Sequence, residues 1–314
     1  MVRQSEALQQ KKNQGRIMAD IIILAAPGMG AVDSDFAEPV FKTLREGLGE
    51  DWSRIYCDTL VCQEHLQPSI ERVFEGMQKR DMEFLRARKF MLYGMAESAA
   101  QLADVQQHGG NYEKSQEAIY KVLDQASKRA GENTPVILIS HSVSCVTLSN
   151  YLWDAQRPSV NHGIWRDGGP RGVHKGSARD LFLRLKTLSY WYTLGPTNPL
   201  WCAGLSRDQI QAVISETRGY RFQWKNFYHP DDLFGWPLKP LSPSYNQAVY
   251  RDYETVPLTD WRSANGGPQL GAHGGYWTAP IVHEKLLADV RELLEKQARR
   301  RVRTPARTRA AATV

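Results

Sequence analysis

The chain has 314 residues, 42% of them hydrophobic and 24% charged, enough apolar material for a full core and too much for a disordered polypeptide. Its formal charge of +6 is no general nucleic-acid signature, because Lys296, Arg299, Arg300, Arg301, Arg303, Arg307 and Arg309 against Glu295 account for all of it and leave residues 1–294 neutral. No apolar run reaches the roughly 18 to 20 residues that span a bilayer, and the opening "MVRQSEALQQKKNQGRIMAD" lacks the apolar stretch of a signal peptide, so a cytoplasmic location is expected.

In chain order, residues 1–18 form a polar, flexible lead-in, and a single domain is expected over 19–294. "IIILAA" (21–26) is short, continuous and β-branched, as in a central parallel strand buried on both faces. It runs into the glycine turn "PGMGAVDSD" and the helical "FAEPVFKTLREGL". "WSRIYCDTLV" can make a second strand. From about residue 63 to 130 the spacing is helical, with Tyr112, Ile119, Val122, Leu123 and Ala126 on one face of "NYEKSQEAIYKVLDQASKRA" before "GENTP" ends the pattern. "PVILIS" then reads as a buried strand feeding a helix. "LKTLSYWYTLG" and "GYRFQWKNFYHP" are two later strands with the helical "SRDQIQAVISETR" between them, and "IVHEKLLADVRELLEKQARR" is a closing helix. Strands alternating with helices predict an α/β fold with a mainly parallel sheet covered on both faces. Two lid-like insertions are expected, one over about 63–110 and the glycine-rich loop over 156–180. Residues 295–314 read as a basic, disordered tail. Nucleic-acid binding is not expected of it, and a weak contact with an anionic surface is the alternative to a simply solvated tail.

The four cysteines, Cys57, Cys62, Cys145 and Cys202, form no C-x-x-C pair and no cluster with histidine, so they read as reduced thiols and no metal is expected. The chemistry concentrates in "ISHSVSC" (139–145). A nucleophile on a sharp strand-to-helix turn needs small residues two positions to either side, and Ser142 has Ser140 and Ser144 there, with His141 before it. Glycine is the usual occupant of those flanking positions, and a steric role is assigned to the two serines. The bland reading of Ser142 is a helix N-cap. Nucleophilic catalysis requires an acid and a base downstream, and both exist. Asp231 and Asp232 are adjacent in "WKNFYHPDDLFGWPL", just past a late strand; one suits the turn after Pro230 and the other, Asp232, the site. His273, in the glycine-flanked loop "GAHGGYW", is the candidate base; His283 is the runner-up, inside a helical pattern that suits a structural role better. An imidazole there can take the serine proton while a carboxylate holds its tautomer. Oxyanion donors would be the backbone N–H of Val143 and of Met29 in "APGMG". A dinucleotide reading of that glycine turn fails at Asp33, where a small residue is needed.

These residues together resemble the α/β-hydrolase superfamily, and more narrowly bacterial serine hydrolases of lipase or esterase type. The resemblance covers about residues 20–290 and rests on "LAAPGMG", "EFLRARKFMLYGMAESA", "ISHSVSCVTLSNYLWD", "YTLGPTNPL", "WKNFYHPDDLFGWPL" and "AHGGYW". It implies a triad of Ser142, Asp232 and His273 and no cofactor. Many members carry His-Gly in the oxyanion loop where this chain has Pro27-Gly28. The expected activity is cleavage of a carboxylic ester, or of a thioester or amide, through an acyl-enzyme. Acyl transfer by the same triad and a catalytically inactive binding module are the alternatives. Trp165, Trp191, Tyr192, Trp201, Trp236 and Trp277 are candidates to line an acyl pocket.

Overall fold

The computed structural model describes residues 18–30, 34–157, 159–213, 217, 219–256 and 272–303. In chain order the elements are β1 (Ile21–Ala26), α1 (Glu38–Leu48), β2 (Ile55–Thr59), α2 (Gln67–Gln78), α3 (Leu85–Ala103), α4 (Asn111–Ala130), β3 (Val136–His141), α5 (Val143–Gln156), α6 (Ala178–Leu183), β4 (Leu188–Leu194), α7 (Asn198–Cys202), β5 (Gln223–Tyr228), α8 (Pro243–Ala248), β6 (Val249–Glu254) and α9 (Pro280–Arg303). Among the described residues six strands form one parallel sheet in the order β2-β1-β3-β4-β5-β6.

β1 and β3 are interior strands, and every residue of each is buried. Ile22, Leu24, Val136 and Leu138 point to one face, where α4 and α5 supply Ile119, Leu123, Leu148 and Leu152. Ile21, Ile23, Ile137 and Ile139 point to the other, where α1 and α9 supply Val40, Leu44, Val282 and Leu286. Period-two alternation thus feeds two cores from one apolar run, each such side chain contributing about 1.5–3 kcal/mol by leaving water. This is the parallel sheet covered on both faces that the sequence predicts.

The connections position the site. After β1 the chain crosses to the α1 face, and after β3 it crosses to the α5 face, so the two loops part at the carboxyl ends of adjacent strands and open a crevice there. Residues 63–110 fold mainly as α2 and α3, which pack on each other and on Met29 through Leu66, Ile70 and Tyr93. Residues 156–180 lie instead against α4 and α5: Ile164 N–H donates to Gln116 Oε1 at 3.0 Å, and Trp165 is buried in the core.

Three features differ from the sequence expectations. Strand β6 was not expected: it is an edge strand that buries only Val249 and Tyr253, too few apolar positions to stand out. The described part of 206–218 is no helix beyond a turn; Ser206 turns locally on Gln209, and Ile210, Ala212 and Val213 are buried in irregular chain, with Ala212 N–H bonded to Ser244 Oγ. Finally, α9 continues past residue 294 to Arg303, so the first part of the basic tail is helix. Arg301 pairs with Asp20, and Arg300 packs over the Tyr220 ring. Arg307 and Arg309 lie outside the described residues, as does the lead-in up to residue 17. Among the described residues no helix is long and apolar enough to cross a membrane.

One polar contact ties β5 to α9. Lys225 Nζ lies 2.8 and 2.6 Å from the Asp289 oxygens, both side chains are buried, and the Tyr192 hydroxyl also donates to Asp289. Removing one partner strands a charge out of reach of water. Lys225→Met is therefore expected to cost about 3–5 kcal/mol in urea unfolding, and Lys225→Met/Asp289→Leu to recover most of it. A single variant as stable as the wild type would contradict the buried pair.

Candidate active site

β3 ends in a reversal that the chain tolerates at one residue. Ser142 has φ 56° and ψ −125°, a region L-residues avoid. It is held there by its own N–H bonded to Leu194 O at 3.0 Å and by its carbonyl accepting Cys145 N–H as α5 begins. Gly28 is required beside it, since a Cβ there would stand 2.7 Å from His141 Nδ1 and 3.4 Å from Ser142 Cβ. The flanking serines do more than fit. Ser140 Oγ accepts the Trp191 indole N–H at 2.9 Å and donates to Cys145 Sγ. Ser144 Oγ donates to Pro27 O at 2.6 Å and accepts from Gln63 Nε2 at 3.3 Å. The purely steric role assigned to them from sequence is thereby corrected: glycine could make none of these bonds.

Ser142 Oγ lies 2.8 Å from His273 Nε2, and His273 Nδ1 lies 3.0 and 2.9 Å from Asp232 Oδ1 and Oδ2. A carboxylate can only accept, so Nδ1 carries the ring proton and Nε2 offers its lone pair to the serine hydroxyl. All three residues are buried. Burial pulls Asp232 upward, but the bonds from His273, Tyr276 and Phe234 N–H outweigh it and hold the carboxyl below its ordinary range. The His273 main chain is fixed as well: its carbonyl accepts from His141 Nε2 at 2.7 Å. Burial, then the neighbouring His273, lower His141 to about 3, so this ring stays neutral and serves as a donor.

The loop after β1 is held by side chains from the helical insertion. Gln67 Nε2 donates to Gly30 O at 2.6 Å, and Gly30 N–H donates to Glu97 Oε1 at 3.2 Å. Met29 packs its sulfur on Gly94, where a Cβ would come within 2.6 Å. Val143 is the first residue of α5, so its N–H has no acceptor within the helix. Glu97 is buried, and its Oε2 has no partner among the described residues. Burial raises it to about 8, opposed by the single Gly30 N–H.

The sequence candidates sort cleanly. Ser142, His273 and Asp232 come together, with Val143 and the Met29 loop beside them. Asp231 is exposed and belongs to the turn, its N–H donating to His229 Nδ1. His283 bridges α1 and α9, between Thr43 Oγ1 at 2.9 Å and Trp277 O at 2.8 Å, and takes no part. Of the candidate pocket aromatics, Trp277 lies near His141, while Trp165, Trp191 and Tyr192 are core and Trp236 is exposed. The rings that do flank His273 edge-on are Phe90 from α3 and Phe234, each 5.5 Å away and 4.7 Å from each other. Neither stood out from the other aromatics in sequence; nor did Glu97. Among the described residues no three His, Cys, Asp or Glu side chains are grouped to hold a metal ion.

No protein-family model and no curated protein matches the chain. Solved structures do, among them a protein from Xanthomonas campestris pv. campestris assigned to the alpha/beta superfamily of hydrolases, with 11% identity, a TM-score of 0.37, and coverage of 85% of this chain and 98% of that one. A likeness of that size identifies no residue or activity here.

The Glu97 environment has a measurable signature. Between its ordinary value of 4.5 and about 8 the folded chain keeps a proton that the unfolded chain has released, so the stability contribution of Glu97 is greatest below that window and falls as pH rises through it. Glu97→Gln, which keeps an acceptor for Gly30 N–H, is expected to melt increasingly above the wild type as pH goes from about 4.5 to about 8. A melting-temperature gap that is flat with pH would contradict the burial of this acid.

Proposed function

We propose that the chain is a cofactor-independent serine hydrolase that cleaves a carboxylic ester through an acyl-enzyme on Ser142. The observation that carries the reading is the continuous set of hydrogen bonds from Ser142 Oγ through His273 to Asp232, with the serine at a strained strand end. In this mechanism the Ser142 proton passes to His273 Nε2 as Oγ attacks the ester carbonyl carbon. The carbonyl π electrons move to oxygen, and the oxyanion is met by the N–H groups of Val143 and Met29. Collapse expels the alkoxide, which takes the proton from His273 Nε2. Water, deprotonated by the same nitrogen, then releases the acid and restores the serine.

The alternative of an inactive binding module was motivated by serines where glycines are usual. Both serines have buried partners, which accounts for them within a working elbow. Phe90 and Phe234 over His273 favour an apolar group on the substrate. The reading includes a cytoplasmic location, supported by four free thiols.

Hydrolysis of p-nitrophenyl esters of graded acyl length tests the assignment. Ser142→Ala is expected to abolish turnover, Asp232→Asn to lower kcat roughly 10⁴-fold because an amide can neither enforce the tautomer nor stabilise the imidazolium, and Asp231→Asn to remain near wild type. Substantial turnover by Ser142→Ala would end the proposal, and a crippled Asp231→Asn beside an active Asp232→Asn would reassign the acid.

A further inference from the structure

Asp232 has a partner that the triad chemistry does not require. The Tyr276 hydroxyl lies 2.6 Å from Asp232 Oδ2 and also receives the His229 N–H at 3.0 Å. With a hydroxyl lone pair engaged by His229, the one phenolic proton is directed to the carboxylate. The chain makes room for this contact at two glycines. A Cβ on Gly195, which has φ +52°, would come within 2.5 Å of the Tyr276 ring, and one on Gly235 would come within 2.6 Å of its hydroxyl. Tyr276 is buried and lies three residues beyond His273, in the 3-10 turn Gly275–Thr278.

We propose that Tyr276 is a positioning residue of the triad: its hydroxyl holds Asp232 charged and turned toward His273, and so sets the pH below which the site falls silent. This rests on the hydrolase reading above. The two carboxylate oxygens are shared among Phe234 N–H on Oδ1, Tyr276 on Oδ2 and His273 Nδ1 across both, so removal of Tyr276 leaves Oδ2 with the imidazole alone. The titratable groups around the carboxylate are His273, Tyr276 and His141, with His229 on the adjoining turn and Cys145 behind the phenol. Burial, then the Asp232 charge, push the Tyr276 hydroxyl far above its ordinary range, so it remains a donor throughout the assay.

The direction of the effect follows from where the hydrogen bond is strongest. Tyr276 bonds a bare carboxylate more strongly than one already facing an imidazolium, so it favours the deprotonated Asp232–His273 pair. Losing it makes the pair take up its proton at higher pH.

The test is the rate of labelling by a fluorophosphonate across about pH 5 to 9, with Ser142→Ala as the unreactive control. Tyr276→Phe is expected to lower the plateau rate about tenfold and to move the acid limb upward by about half to one pH unit. Genetically encoded 3-fluorotyrosine at position 276, a more acidic phenol of nearly the same volume, is expected to move the limb the other way, and it covers the case in which Tyr276→Phe does not fold. A merely structural tyrosine would change the plateau and the melting temperature without moving the limb in opposite directions. Wild-type labelling at Ser142 with unmoved limbs in both variants overturns this inference alone. A wild-type protein that fails to label overturns the hydrolase reading and this inference with it.

Discussion

A strand that reverses at Ser142 with φ 56° and ψ −125° stores about 1–3 kcal/mol of backbone strain, and much of the surrounding structure can be understood as what makes that tolerable. The strand leading in is apolar on both faces and cannot shift without exposing Ile137 or Leu138. The serine's N–H is anchored to β4 through Leu194 O. On one side Ser140 is tied to Trp191, and on the other Ser144 is tied to the loop after β1. The same bonds that hold the reversal therefore also tie the turn at Ser142 to the loop that carries Met29.

Burial is the second constraint. With Ser142, His273 and Asp232 all removed from solvent, each electrostatic contact is stronger than in water and each unmet one more costly. Asp232 is accordingly surrounded by donors, His141 is kept neutral, and Phe90 and Phe234 close the edge of His273. Glu97 departs from this pattern, since it meets the Gly30 N–H with one oxygen and leaves the other without a partner among the described residues. Its position ties the helical insertion to the loop that carries Met29, a role filled here by side chains of α3 and by Gln67 rather than by the loop's own residues.

What was legible in the sequence is what local chemistry dictates. Continuous β-branched runs announce β1 and β3, a serine between small residues after such a run announces the turn, and an aspartate pair past a strand and a histidine among glycines are the side chains that meet it. Of the two adjacent carboxylates, Asp232 contacts His273 while Asp231 stays with the turn. What stayed hidden depends on partners distant in sequence. Nothing local marks Ser144 as a donor to Pro27, 117 residues away, Glu97 as an acceptor for Gly30, or Tyr276 as a donor to Asp232. β6 was missed because an edge strand shows few apolar residues. The described part of 206–218 departs from its helical spacing because Ile210, Ala212 and Val213 are buried against the core from irregular chain, which spacing cannot reveal.

The central claim is that Ser142 is an activated nucleophile. Reaction of the intact protein with a fluorophosphonate, followed by peptide mass mapping of the adduct, tests it most directly. A single adduct on the peptide containing Ser142, absent from Ser142→Ala, is the predicted result. An adduct confined to another residue, or none on a folded protein, would contradict the account.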